Sequence, residues 1–182
     1  MWKRNDSGQA LLELALVIPI LLTFVFGLVD FGRAMYDMEV ITNLAGEGSS
    51  LASRGTSAAD TVTAVLADAD INMTAAGCVI VTTIKNPNGT TNPRYAIQTQ
   101  ATGGAGSCAV SQSQVGQCQP SNGSCTGTAT LPATMQAVLN LRSQTIIAVT
   151  EITFTYHTIT PIGYLLHKTN WLPSSLYRAA FY

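Results

Sequence analysis

From Leu14 to Val29 the chain carries no charged side chain. With Ala10 to Leu12 added and Glu13 admitted, the apolar stretch reaches about 20 residues, enough for a helix to cross the hydrocarbon core of a bilayer. Lys3 and Arg4 precede it, while Asp30, Asp37 and Glu39 follow. This Lys/Arg bias, reduced by Arg33, predicts a cytoplasmic N-terminus with the bulk of the chain outside. A cleaved secretory signal is the rival reading, but no small-x-small site follows the apolar core. Instead Ala34, Met38, Ile41, Ala45 and Leu51 continue at helical spacing, with Asp37, Glu39 and Glu47 between them. The pattern predicts one helix from about Ser7 to about Ala52, apolar all round in its first half and amphipathic in its second. Pro19 and Gly27 are tolerated inside a membrane helix.

Charged residues make up 10% of the 182-residue chain, and the net charge is −1. Soluble domains average about 25% charged residues. Basic residues are scattered, so no nucleic-acid footprint is present. Cys78, Cys108, Cys118 and Cys125 all follow the apolar segment. Their even number in a chain facing an oxidising space predicts two disulfides, and three pairings are open. Without a C-x-x-C, and with no histidine near the cluster, they do not read as a zinc site.

Glu13 is a carboxylate within the apolar segment, where such groups are costly and usually have a partner or a role. Near the cytoplasmic end it can snorkel toward the headgroups. Its spacing permits a more specific reading. A cut after Gly8 makes Gln9 the first residue and Glu13 the fifth. The new α-amino group can then neutralise this carboxylate, or a neighbouring copy's, as identical helices pack.

Basic residues, Gly8, four residues, then Glu13 and an apolar helix resemble the class III processing signal of type IV prepilins. Gly27-Leu28-Val29-Asp30-Phe31-Gly32-Arg33 resembles the segment closing the membrane helix in TadE-type pseudopilins of tight-adherence (Tad/Flp) pili. The resemblance implies a leader at residues 1–8, a transmembrane helix at 9–30 and an extracytoplasmic pilin-like domain at 31–182. It also implies a place in the bacterial inner membrane, or in a surface pilus. Implied partners are other pilins, a prepilin peptidase, the inner-membrane assembly platform and the bilayer itself. The role implied is that of a minor pilin, since major Tad pilins are usually much shorter; a major filament subunit is the weaker alternative.

For the exterior part, residues 57–71 read as a short helix capped by Ser57 or Thr56, with Val62, Val65, Leu66 and Ala69 on one stripe. Val79–Ile84 reads as a strand, Asn88-Gly89 as a turn, and Arg94–Thr99 as the returning strand. Residues 101–130 are poor in apolar side chains and hold Pro120 and three of the cysteines. They read as a disulfide-stapled surface excursion, free to face neighbouring subunits, or as a tolerated insertion. Pro132 opens a short helix to Arg142. Ile146–Thr158 is the strongest strand, placing Ala148, Ile152, Phe154 and Tyr156 on a packed face and Glu151, Thr153, Thr155 and His157 on a wet one. The apolar tail from Tyr164 to Tyr182 reads as a core-closing amphipathic helix, or as a membrane-interface or partner-binding segment. The fold class expected is therefore α+β: a long N-terminal helix, membrane-spanning in its first half, packed on a small antiparallel sheet with a stapled loop.

No P-loop, G-x-G-x-x-G, H-E-x-x-H or G-x-S-x-G is present. His157 and His167 have no companions suited to a triad, and Asp68 and Asp70 point apart on a helix. The reading is non-enzymatic, with no catalytic residue, metal site or cofactor. The alternative is a membrane-anchored envelope enzyme or ligand-binding domain, which would need a clustered polar site.

Overall fold

The computed structural model describes residues 6–86, 95–121, 124–133, 135–137, 146–168 and 174–182. By contacts the chain divides into two units, Met1–Tyr36 with Tyr156–Ser174, and Asp37–Thr155 with Ser175–Tyr182.

Helix α1 runs from Asp6 to Ser53 with Pro19 inside it. In the first unit its side chains are exposed on every side, from Leu11 through Phe24 and Leu28 to Tyr36. Among the described residues the one buried point is Asp30. Helix α4, Pro161–Lys168, belongs to the same unit. Thr160 caps it by accepting the Gly163 amide at 3.0 Å, and its carbonyl accepts from Tyr164 at 3.0 Å. Pro161 follows the cap, where a missing N–H costs nothing.

The second unit is built on a four-stranded antiparallel sheet of order β2-β1-β5-β6. Its strands are β1 (Gly77–Lys85), β2 (Ala96–Gly104), β5 (Ile146–Thr155) and β6 (Ser175–Phe181). A two-stranded ladder, β3 (Gln119–Ser121) with β4 (Ser124–Thr126), lies between β2 and β5 in sequence. Residues opposite one another in an antiparallel ladder share a face. Val79, Val81 and Thr83 oppose Ile152, Thr150 and Ala148, and these form one face. Ile80, Thr82 and Ile84 oppose Glu151, Val149 and Ile147, and these form the other.

The first face packs against helices. In its second half α1 buries Ile41, Leu44, Ala45, Gly48, Ser49 and Ala52, a stripe of the spacing an amphipathic helix requires. Helix α2, Ala58–Asp68, adds Val62 and Val65. Its cap is Ser57, which accepts the Asp60 amide at 3.1 Å. A short helix α3, Met73–Ala76, leads into β1. Gly48 permits the close approach of α1, because a Cβ there would stand 2.9 Å from side-chain atoms of both Thr150 and Val65. Each fully buried Val or Ile on this face contributes roughly 1.5–3 kcal/mol.

The second face is covered by the excursion. Val115, Ala129 and Leu131 pack with Ile84, Ile97, Ile147 and Val149 in one apolar cluster. Segment 127–129 also runs along β2, since Ile97 donates to the Gly127 carbonyl at 3.0 Å and Ala129 to the Tyr95 carbonyl at 2.7 Å. The excursion is therefore a second layer of the core and not a free surface loop. The wet face expected on β5 is therefore covered at Glu151, which is only 1% exposed, while Thr155 and His157 at its end are exposed as expected. Strand alternation identifies which residues share a face but says nothing about what lies over it.

Two further differences concern the C-terminal part. The tail forms α4 and then the edge strand β6, not one closing helix. Tyr182 continues the pairing, exchanging both backbone hydrogen bonds with Ala148 at 2.9 Å. Of the helix expected from Pro132, the Met135 and Gln136 amides bond to the Pro132 carbonyl, while residues 138–145 lie outside the described residues. So does the turn at Asn88-Gly89.

Candidate functional site

Three regions combine polar groups with a structural position, and the first is the start of α1. Gly8 and Gln9 are exposed within its opening turns, and no atom outside the helix stands within 4 Å of a Cβ built on Gly8. Glu13 is exposed one turn beyond Gln9, among Leu11, Leu12, Leu14 and Leu16, which are 55–75% exposed. A soluble monomer rarely leaves more than a few hundred Å² of contiguous apolar surface in water. This surface encircles the helix for several turns, so lipid or other apolar helices are its natural surroundings. The helix is long and apolar enough to cross a membrane.

The second region is centred on Asp30. The Asp30 carboxylate accepts the Ile159 amide at 3.2 Å and the Thr160 hydroxyl. The Asp30 carbonyl accepts the Tyr156 hydroxyl at 2.7 Å. This acid thus holds the chain leading into α4 and sits near that helix's N-terminus, where a negative charge is favoured. Gly163 is required here, since a Cβ would fall 1.8 Å from Asp30 Oδ2. The sequence marks Asp30 only as the charge closing the apolar stretch; its partners lie about 130 residues away and leave no local signal.

The third is the buried carboxylate of Glu151 on the excursion side of β5. It accepts the Gln114 amide at 2.8 Å, the Tyr177 hydroxyl at 2.8 Å and the Ser113 hydroxyl. Ser113 Oγ in turn accepts the Gly116 amide at 3.2 Å. Gln100 acts in parallel on β2: its amide donates to the Gly116 carbonyl at 2.9 Å and to Thr82 Oγ1 at 2.9 Å, and its oxygen accepts the Cys118 amide at 2.7 Å. Burial, then the hydrogen bond and charge of Glu151, push the Tyr177 phenol well above its ordinary pKa. A Ser–Glu–Tyr cluster has the ingredients of a catalytic site. Here both carboxylate oxygens are engaged, by the Gln114 amide and Ser113 hydroxyl of the excursion and by the Tyr177 hydroxyl of β6. It is a clasp. Beside it lies an open cavity of about 510 Å³, lined by Val115, Leu131, Pro132, Tyr177, Arg178 and Phe181 among others.

The cysteines resolve into Cys78–Cys108 and Cys118–Cys125. The first ties the start of β1 to the start of the excursion, and the second closes the β3–β4 ladder. Chain-entropy arithmetic for loops of 30 and 7 residues gives stabilisations of about 3.6 and 2.4 kcal/mol. Among the described residues no three His, Cys, Asp or Glu side chains are placed to hold a metal. His157 is exposed.

These features define a class: an α+β protein whose helix, able to serve as a membrane anchor at one end, is built into the core of a disulfide-stapled sheet domain at the other. Residues 8–50 match the family described as TadE-like protein, so that stretch of α1 is similar to TadE-like proteins. The match begins at Gly8, passes through Glu13 and Asp30, and ends within the stripe that packs on the sheet. No curated protein and no solved structure matches the chain.

Proposed function

We propose that this chain is a minor pilin, or pseudopilin, of a tight-adherence type IV pilus, with a structural and interaction role and no catalysis of its own. The observation carrying this reading is the TadE-like match over residues 8–50, falling on a helix whose first half bares apolar surface all round. In this reading a prepilin peptidase cuts between Gly8 and Gln9. The chain that remains has 182 − 8 = 174 residues. The new α-amino group at Gln9 and the Glu13 carboxylate are four residues apart on the helix, hence on one face. They can neutralise each other within a chain, or pair between neighbouring chains and set the stagger at which helices stack. In this reading the N-terminus lies in the cytoplasm and the sheet domain outside the inner membrane, as the Lys3 and Arg4 bias before the span supports. There it meets other pilins and the assembly platform.

Among the described residues, the polar groups around Glu151 that could favour an envelope enzyme are engaged in hydrogen bonds with the excursion and with Tyr177. The test is the N-terminal residue and mass of the protein from its native membrane, with and without the host's prepilin peptidase. A chain beginning at Gln9 only when the peptidase is present is the expected result. A chain beginning at Met1 in both strains reduces the pilin reading to an anchor that merely looks like one.

A further inference from the structure

We infer that α4 rests on the lipid surface, at headgroup level in the leaflet where the apolar span of α1 ends. The inference depends on the anchor reading above and goes beyond it, because it assigns a lipid contact to a second element far along the chain. It starts from position. Leu14 to Val29 are uncharged and Asp30 is the first charge after them. A carboxylate at the bilayer centre costs about 2.5–3.5 kcal/mol on insertion scales, which sets residue 30 at the boundary when the span is in lipid. The segment entering α4 is bonded to that same residue through Ile159, Thr160 and Tyr156. Helix α4 has eight residues, a length of about 12 Å, so all of it lies close to the boundary.

The exposed surface suits that depth. Ile159 is 59% exposed and Tyr164 65% exposed, and Lys168 at the far end of α4 is exposed too. On α1, exposed apolar side chains continue past Asp30 at Phe31, Met35 and Tyr36, with the exposed Arg33 among them. This run selects lipid as the occupant: it begins in hydrocarbon and carries on beyond Asp30, the residue to which the segment entering α4 is bonded. Tyrosine, with an apolar ring and a polar tip, is favoured in the interfacial zone. A lysine there buries its stem and reaches anionic headgroups.

The experiment uses the full chain in vesicles of phosphatidylethanolamine and phosphatidylglycerol, with a bimane label on Tyr164→Cys or, separately, on Leu22→Cys. The four native cysteines are disulfide-bonded and do not compete for label. Nitroxide lipids, shallow or deep, and aqueous iodide serve as quenchers. The Leu22→Cys label should respond most to the deep nitroxide. The Tyr164→Cys label should be quenched about twofold more by the shallow nitroxide than by the deep one, as expected for a group 5–10 Å into the interface. Quenching at Leu22→Cys with none by either lipid at Tyr164→Cys overturns the inference and leaves the anchor standing. Iodide access at Tyr164→Cys would then show water over α4, and shielding from iodide as well would show protein. No lipid quenching at Leu22→Cys overturns the anchor reading, and the inference with it.

Discussion

The two faces of the four-stranded sheet both bury apolar side chains under another layer, yet they are closed by different chemistry. The helix face is sealed by shape. Val79, Val81, Ile152 and Ala148 meet Ile41, Leu44, Ala45, Val62 and Val65, and Gly48 lets the layers touch. Its polar member, the Thr150 hydroxyl, is buried without a hydrogen-bond partner. The other face offers Ile84, Ile97, Ile147 and Val149, but the excursion brings few large apolar residues to meet them. Val115, Ala129 and Leu131 cover it, helped by Glu151, Gln100 and two disulfides that grip the backbone directly. A regular helix satisfies its own backbone and needs only an apolar stripe to dock. An irregular segment brings unpaired N–H and C=O groups with it, so the surface receiving it must supply polar partners.

The comparison breaks most readily at Glu151. Glu151→Ala leaves the Gln114 amide and the Ser113 and Tyr177 hydroxyls without their acceptor, an expected loss of about 3–5 kcal/mol. Hydrogen exchange should show the amides of Gln114, Gly116 and Cys118 opening first, while those of α2 keep their protection. Equal loss of protection in α2 would mean the two faces are not energetically distinct. On the helix face a polar-to-apolar change should act with the opposite sign. Thr150→Val replaces an unpartnered hydroxyl by a methyl of the same shape and should stabilise by about 1 kcal/mol in urea unfolding. A destabilised variant would show that the hydroxyl has a partner after all.

The smallest effect concerns alkaline pH. The Tyr177 phenol keeps its proton in the folded state at pH values where the unfolded chain loses it, because its folded pKa is raised. Its contribution to stability is therefore fully present below pH 10.0, the ordinary tyrosine value, and falls as pH rises beyond it. Thermal unfolding between pH 9 and 11 should show a shallower decline in Tyr177→Phe than in the native chain, about ordinary phenol titration. Parallel curves would remove Tyr177 from the clasp's energetics.

Much of the helix side was legible from local pattern. The apolar run, the continuing helical spacing, the Ser57 cap and the β-branched run at Val79–Ile84 each act within a few residues, and each gave an element near its observed place. The excursion side was not, because its order is set at long range. Segment 101–130 looks like a loop by composition, and what makes it a layer is a carboxylate 37 residues beyond Gln114 and a glutamine 18 residues before Cys118. Strand β6, Ser175–Phe181, carries Arg178 and two alanines and has no clean alternation to announce it. Asp30 was visible as a boundary charge, and its role as the ligand of a distant turn was not.

The sheet order also imposes a timetable on the emerging chain. Strand β1 has β2 available as soon as residue 104 is out, and Cys78 can find Cys108 four residues later. Cys118 and Cys125 follow at once. Both crosslinks can thus be complete before β5, the central strand on which the excursion lies, has been made. A chain oxidised at that point would be a crosslinked β1–β2 hairpin whose appendage has no β5 beneath it. Only when β6 arrives, bringing Tyr177, is the set of groups around the Glu151 carboxylate complete.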